Sequence, residues 1–398
     1  MSFRFLMSGE SHGQGLTAIL EGIPAGFEIN PDDINFQLSR RQKGYGRGGR
    51  MLIENDTVKF FAGLRHGYTT GAPVCLWVQN KDWENWEVPM SPLPVDMDNS
   101  EIKEAVNKRK ITHVRPGHAD LSGALKYNHE DVRNILERSS ARETAIRVAV
   151  GGFAKSVLKS FGINIVGHVL QIGNAVADSK NITHSFKELK EITENSEVRC
   201  ADKNAEIAMK LEIDKAKEQG DSLGGLFEIV AIGVPVGLGS FVHWDRKLDA
   251  KVAQAIMSIP AIKSVAIGAG EKAAELFGSM MHDEIYPKEN RSDYIRKTNN
   301  AGGIEGGMSN GMPIVLRAAM KAIPTMIKPL NSINLEDGEA HVAHYERSDV
   351  CAVPAAAVVG EAMLAIVLLE AFLDKFGGDS YTEIKNNYDN YLKMYQSR

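Results

Sequence analysis

The stretch PAAAVVGEAMLAIVLLEAFLDKF (354–376) contains most of the most apolar run in the chain, Ala352 to Leu373. It is long enough to cross a bilayer, but Glu361 and Glu370 stand inside it and Pro354 opens it. Charges at membrane depth are costly, whereas Pro is at home in a first helical turn. The segment is therefore expected to be a long buried helix that ends at Gly377-Gly378.

Strand and helix signals are legible upstream. Phe3 to Met7, Leu16 to Leu20, Val58 to Phe61, Val74 to Val78, Ile163 to Ile172 and Gly225 to Val236 have strand character, and Met312 to Met320 alternates as a half-buried strand does. Asn30-Pro31 starts a helix that carries Ile34 and Leu38 on one face and ends before Gly44, with Arg40 and Arg41 in its last turn. Leu248, Val252, Ile256 and Ile259 keep helical spacing up to Pro260. Several strand pairs are too close in sequence for helical crossovers. The expectation is a single, largely antiparallel α+β domain over 1–398 rather than a doubly wound one. Residues 93–113 read as a charged connector, and the Glu- and Lys-rich stretch 174–220 as a peripheral insertion with helical pieces.

Composition narrows the function. The 398 residues are 43% hydrophobic and 24% charged, which excludes disorder and low complexity. Lys+Arg 46 against Asp+Glu 51 leaves −5, so a general polyanion binder is not expected and a basic site must be a local concentration. Cys75, Cys200 and Cys351 are odd in number and far apart, which fits a reducing, cytoplasmic compartment without a disulfide framework. The segment before Ser8-Gly9-Glu10 is too short for a signal peptide. There is no HExxH, no paired CxxC and no P-loop, so no zinc or ATP site is expected, and His341-x-x-His344 is too common a spacing to be a ligand pair.

Local concentrations of chemistry do occur. Gly9-Glu10-Ser11-His12-Gly13 matches a hydrolase elbow literally, but only one strand precedes it. A tight turn or a loop placing His12 in a site are the other readings. Residues 38–50 hold five cations, four glycines and no acid, compatible with a mobile loop, a single RGG-like element or a loop closing on a multiply anionic ligand. In Arg115-Pro116-Gly117-His118-Ala119-Asp120, His118 beside Arg115 could donate a proton to a phosphate oxygen or be an ordinary turn histidine. Ser140 to Glu143 reads as a capping box, which leaves Arg138, Ser139 and Arg142 crowded at the same helix start as an anion site. A Gly-rich loop spans 299–311, and Arg347 and Asp349 suit either an ion pair or a base beside an arginine.

Taken together, GESHG (9–13), LSRRQKGYGRGGRM (38–51), RPGHAD (115–120), RSSARET (138–144), DSLGG (221–225), MSIPAIKSVAIG (257–268), NNAGGIEGGMSNG (299–311), KAIPT (321–325) and RSDVCAVPAA (347–356) resemble the chorismate synthase family. They stand in the family's order over nearly the whole chain. The resemblance implies a β-α-β sandwich, usually a homotetramer, and a lyase that eliminates phosphate from 5-enolpyruvylshikimate 3-phosphate with reduced FMN. It implies flavin contacts at Arg138, Ser139, Ser140, Pro260, Ala261, Gly306, Lys321, Ala322, Ile323, Pro324, Thr325 and Arg347. Pro260 stands where many relatives have Asn, and Ala322 where Pro is common. His12 and His118 match the family's acid histidines and Asp349 the carboxylate near flavin N5. Arg41 and Arg47 match arginines that serve substrate or NADP, and Arg50, Arg115 and Arg142 are expected to hold substrate anions. The implied partners are the small-molecule substrate and a separate flavin reductase, with NADPH or another reductant behind it, and neither nucleic acid nor membrane.

Overall fold

In the computed structural model, residues 3–48, 55–183, 185–287, 294–328, 330–346 and 348–396 are described. Arg50 and Arg347, both expected in the site, lie outside them. In chain order come β1 (Arg4–Ser8), β2 (Gly15–Glu21), α1 (Pro31–Gln42), β3 (Val58–Ala62) and β4 (Val74–Gln79). Four helices follow: α2 (Ser100–Arg109), α3 (Asp120–Tyr127), α4 (Arg133–Ser139) and α5 (Thr144–Lys159). The second half holds β5 (Asn164–Ile172), α6 (Phe186–Asn195), α7 (Lys203–Glu218), β6 (Gly225–Ile232), α8 (Leu248–Met257), β7 (Ile262–Ile267), β8 (Ile314–Met320), α9 (Val353–Phe376) and α10 (Tyr381–Gln396).

The strands form two sheets. One has the order β1-β2-β4-β3; the other runs β7-β8-β6-β5 with the short strand Ala175–Val176 at its edge. Every pairing in both is antiparallel. Between the sheets lie α1, α5 and α9: α5 packs on β2 and β4, and α9 on α5, β5, β6 and α8. The molecule is thus the β-α-β sandwich of an α+β fold.

Local chemistry explains the elements. The Asn30 side chain accepts the Asp32 N–H at 3.0 Å and caps α1, whose Ile34 and Leu38 are fully buried. In α9, nearly every residue is buried, and its mid-helix Glu361 is fully enclosed. Glu361 is balanced by Arg40 at 2.7 and 2.8 Å, by Lys155, and by the Gly167 N–H at 2.7 Å. Burial alone would raise its pKa, but Arg40, Lys155 and Arg199 outweigh that and hold the carboxyl well below its ordinary range. Glu361 is an internal anchor, and the helix is apolar because it is the centre of a protein.

Two expectations change. The charged connector contains α2, and no residue of that helix is buried, which is why no apolar stripe announced it. The stretch 174–220 is tied into the centre: Met209 and Ile213 belong to the main core, Arg199 and Arg40 share Glu194, and the Tyr45 hydroxyl donates to Asp214 at 2.8 Å. A smaller core of Ile111, Val114, Val132 and Leu136 lies under the hairpin Asn331–Ile333/Ala340–Val342 and braces the turn at 115–120.

Candidate functional site

The ends of several elements converge on one cavity of about 370 Å³, a size typical of small-molecule sites at roughly 300–1,000 Å³. The loop after β1 brings Ser11 and His12, the end of α1 brings Arg41 and the loop after it Arg47, and the turn before α3 brings Arg115 and His118. Ser139, Ser140 and Arg142 come from the α4–α5 junction, Pro260 and Ala261 from the bend after α8. Lys321, Ile323, Pro324 and Thr325 follow β8, and Glu346 and Asp349 precede α9. Ala352, which precedes α9, and the α9 side chains Ala355, Ala356 and Val359 form an apolar wall of small residues.

Each histidine is braced by a carboxylate. His12 Nδ1 lies 2.8 Å from Glu137 Oε1, and the His12 backbone N–H donates to Oε2 at 2.7 Å. Burial pushes Glu137 up, but His12 and Arg133 outweigh it and keep the carboxyl below its usual range. His118 Nδ1 is hydrogen-bonded to Asp120 Oδ1, and Arg115 donates to the same carboxylate at 2.7 and 3.0 Å. Asp120 is likewise held low against its burial, by His118 and Arg115. In both rings Nδ1 is thus committed to a carboxylate, which fixes how the imidazole is turned.

The cations differ in what holds them. Arg142 is clamped between Asp56, at 2.6 and 2.8 Å, and Asn80 at 2.9 Å. Arg41 donates to Thr144 Oγ1 at 2.9 Å and sits 3.6 Å from Asp56. Arg47 pairs with Asp349 at 2.7 Å, and the Gly48 N–H donates to the other oxygen of that carboxylate at 2.7 Å. Arg115 also donates to Thr325 Oγ1 at 3.0 Å, and the Lys321 ammonium to the Gly117 carbonyl, so the 115–120 turn and the 321–325 run are joined. Ala261 has φ of 68°, a left-handed conformation uncommon for a residue with a side chain, and its carbonyl accepts the Lys321 N–H at 2.9 Å. The close joining of the bend after α8 to the 321–325 run is where that strain is held.

Three expected positions stand outside this wall. Arg138 points back to the Met7 and Gly9 carbonyls, both at 3.5 Å. Gly306 is exposed at the tip of the Ile304–Ser309 hairpin, and Ala322 is not part of the lining. The capping box is half formed: Ser140 Oγ accepts the Arg142 N–H at 3.3 Å, but Glu143 turns to Arg147 Nε at 2.9 Å, and a short 3-10 turn precedes α5. Glu137, Trp86 and Glu346 were not singled out in the sequence. Glu137 and Glu346 adjoin recognised motifs, a signal that could have found them; Trp86 sits in a loop with no pattern around it.

A cavity with a cationic rim, two braced proton carriers and an apolar wall suits a small molecule bearing several negative charges, at which protons are moved; such a protein is an enzyme. The model of the family described as chorismate synthase matches residues 3–373. The chorismate synthase of Geobacter metallireducens is 54% identical over 400 residues, covering 99% of each chain. That of Brevibacillus brevis is 55% identical over 388 residues, 98% of each. A crystal structure of chorismate synthase superposes with a TM-score of 0.79 at 43% identity, covering 100% of this chain and 99% of the other. The chain belongs to the chorismate synthase family. It is a lyase of the shikimate pathway: it eliminates phosphate from 5-enolpyruvylshikimate 3-phosphate to give chorismate, on the way to aromatic amino acids. The family as a whole is flavin-dependent.

Proposed function

We propose that this chain carries out the elimination in the cavity between β1 and α9, with reduced FMN as its cofactor. The observation that carries the reading is the convergence of His12, His118 and Asp349 with Arg41, Arg47 and Arg115 on one cavity. The donor set fits a flavin nucleotide. The small side chains of Ala355, Ala356 and Val359 leave a flat apolar face for a planar ring, while Ser139, Ser140, Lys321 and Thr325 offer donors for its polar edge and phosphate.

The substrate carries two carboxylates and a phosphate. Guanidinium groups at short range offset the cost of enclosing that charge; one close pair is worth roughly 4 kcal/mol at an effective dielectric of about 20, before desolvation. Arg41, Arg47 and Arg115 hold these anions, Arg41 and Arg47 serving substrate, NADP or both. Arg142 keeps Asp56 and the β4 end in place beside them. His118, oriented by Asp120, gives the proton on Nε2 to the departing phosphate, and the carboxylate stabilises the positive charge of the protonated ring. His12 moves a proton through Nε2 on the cofactor's side. Asp349 is the acceptor for the proton that leaves the substrate ring. When bound, reduced flavin supplies electron density that assists phosphate departure and is recovered, so that no net oxidation results.

The chain assembles into a homotetramer in this reading, as the family usually does. The three free cysteines suit a cytoplasmic setting, with reduced flavin supplied by a separate reductase from NADPH or another reductant.

The test is anaerobic phosphate release from the enolpyruvyl substrate with photoreduced FMN. Turnover should need reduced flavin without consuming it, and His118→Ala should lower kcat about 100- to 10,000-fold. Stoichiometric loss of NADPH per product would replace the elimination by an oxidoreductase, and wild-type turnover in His118→Ala would remove that histidine's role.

A further inference from the structure

His12 is held from three directions by groups that take no part in the steps above. The Glu137 carboxylate grips it twice, at the backbone N–H (2.7 Å) and at ring Nδ1 (2.8 Å), and the Glu137 carbonyl accepts the Ser11 N–H at 2.9 Å. The Trp86 indole stacks on the imidazole, with ring centres 3.9 Å apart and planes 23° from parallel. Trp86 is itself buried and fixed: its Nε1–H donates to Asp82 at 3.0 Å, and the Arg109 and Arg133 guanidinium groups lie 4.0 and 5.1 Å from its ring centre. Arg133 also pairs with Glu137 at 3.1 Å and with the cavity-lining Glu346 at 3.0 Å. A histidine on a glycine-flanked loop would otherwise choose among rotamers and tautomers.

We infer that Glu137 and Trp86 are positioning residues for the elimination: the carboxylate selects the Nδ1–H tautomer of His12 and the indole fixes the ring plane, so that the direction and protonation of Nε2 are set. The physical reason is that an ionised carboxylate only accepts hydrogen bonds, so a neutral ring at 2.8 Å must place its hydrogen on Nδ1. Stacking then removes rotation about the last side-chain bond, and Arg109 and Arg133 keep the indole from yielding.

The inference rests on His12 acting at the cavity, and the experiment separates the two. In protein labelled with ¹⁵N-histidine, with His12→Asn assigning the signal, the His12 ring should show the Nδ1–H tautomer at high pH. In Glu137→Gln, whose amide can donate as well as accept, the Nε2–H tautomer should appear. In the same variant kcat should fall ten- to a hundredfold with KM within twofold. Trp86→Leu should lower kcat about three- to tenfold, and Trp86→Phe, which keeps a stacked ring, should restore it to within twofold. An unchanged tautomer in Glu137→Gln, or equal losses in Trp86→Phe and Trp86→Leu, overturns the inference. A changed tautomer with wild-type kcat upholds the positioning and overturns instead the part given to His12. Should Glu137→Gln fail to fold, the tryptophan pair and the wild-type tautomer decide alone.

Discussion

Asp120 serves two neighbours at once, with no exposure to solvent. It orients His118 through Nδ1 and neutralises Arg115, which in turn reaches Thr325 on the opposite loop. Asp120→Asn keeps the shape but loses the charge, leaving Arg115 buried without its counter-ion. Breaking a buried pair in this way costs about 3–5 kcal/mol. The variant should therefore melt several degrees lower and turn over at least 100-fold more slowly, measured by calorimetry and by phosphate release. This residue also marks where reading the sequence stops. His118 stands out because histidine between Arg115 and Asp120 in a Pro-Gly turn is chemically pointed. That Asp120 is the brace, and Glu137 the brace of His12 across 125 positions, depends on folding that brings them together. Arg142 shows the converse: its charge was legible, but its commitment to Asp56, 86 positions away, was not.

At the scale of elements, α5 and α9 approach each other closely in the centre of the sandwich. A Cβ on Gly151 would lie 2.2 Å from the Ala362 Cβ, so the helices meet there only because the side chain is absent. Gly151→Ala should force them apart, costing about 1–3 kcal/mol by urea denaturation. It should also lower activity, because α9 carries Ala355, Ala356 and Val359 of the cavity wall. The elements most legible in advance were those whose signals are local: the Asn30-Pro31 start of α1, the apolar run of α9, the alternation of β8. Capping atoms and periodic faces are written within a few residues of one another. The α2 helix was illegible because it buries nothing, and the role of α6 and α7 because polar composition hid Met209 and Ile213 facing inward. Short separations between strands announced antiparallel pairing. The orders β1-β2-β4-β3 and β7-β8-β6-β5 did not follow from them, since partners such as β6 and β8 are chosen by a shared core and not by proximity in the chain.

Across the whole molecule, the same buried carboxylates that organise the centre and the site set its response to acid. Glu361, Asp120, Glu137 and Glu346 all lie below their ordinary range. Burial opposes this in every case, but His344, Arg133 and Arg115 bring Glu346 down to about 2 from 4.5, and the partners already described do the same for the others. A carboxyl that is more acidic when folded leaves the unfolded chain binding more protons at intermediate pH. Stability is then fully present above the unfolded value near 4.5 and is lost as pH falls toward the folded one. On the alkaline side the signs conflict. Burial lowers Lys155 to about 8 from 10.5, which adds stability as pH rises, while it raises Cys200 and Cys351 to about 11 from 9.0, which removes it. The melting temperature should thus be level between about pH 6 and 8 and drop steeply below pH 4.5. Glu346 allows the slope to be assigned. Its shift corresponds to at most about 3 kcal/mol, and Glu346→Gln should be less stable than wild type by up to that amount at pH 7. The gap should close between pH 4.5 and 2 as the wild-type carboxyl takes up its proton. Parallel melting curves for the two proteins across that range would mean that Glu346 does not contribute to the acid limb.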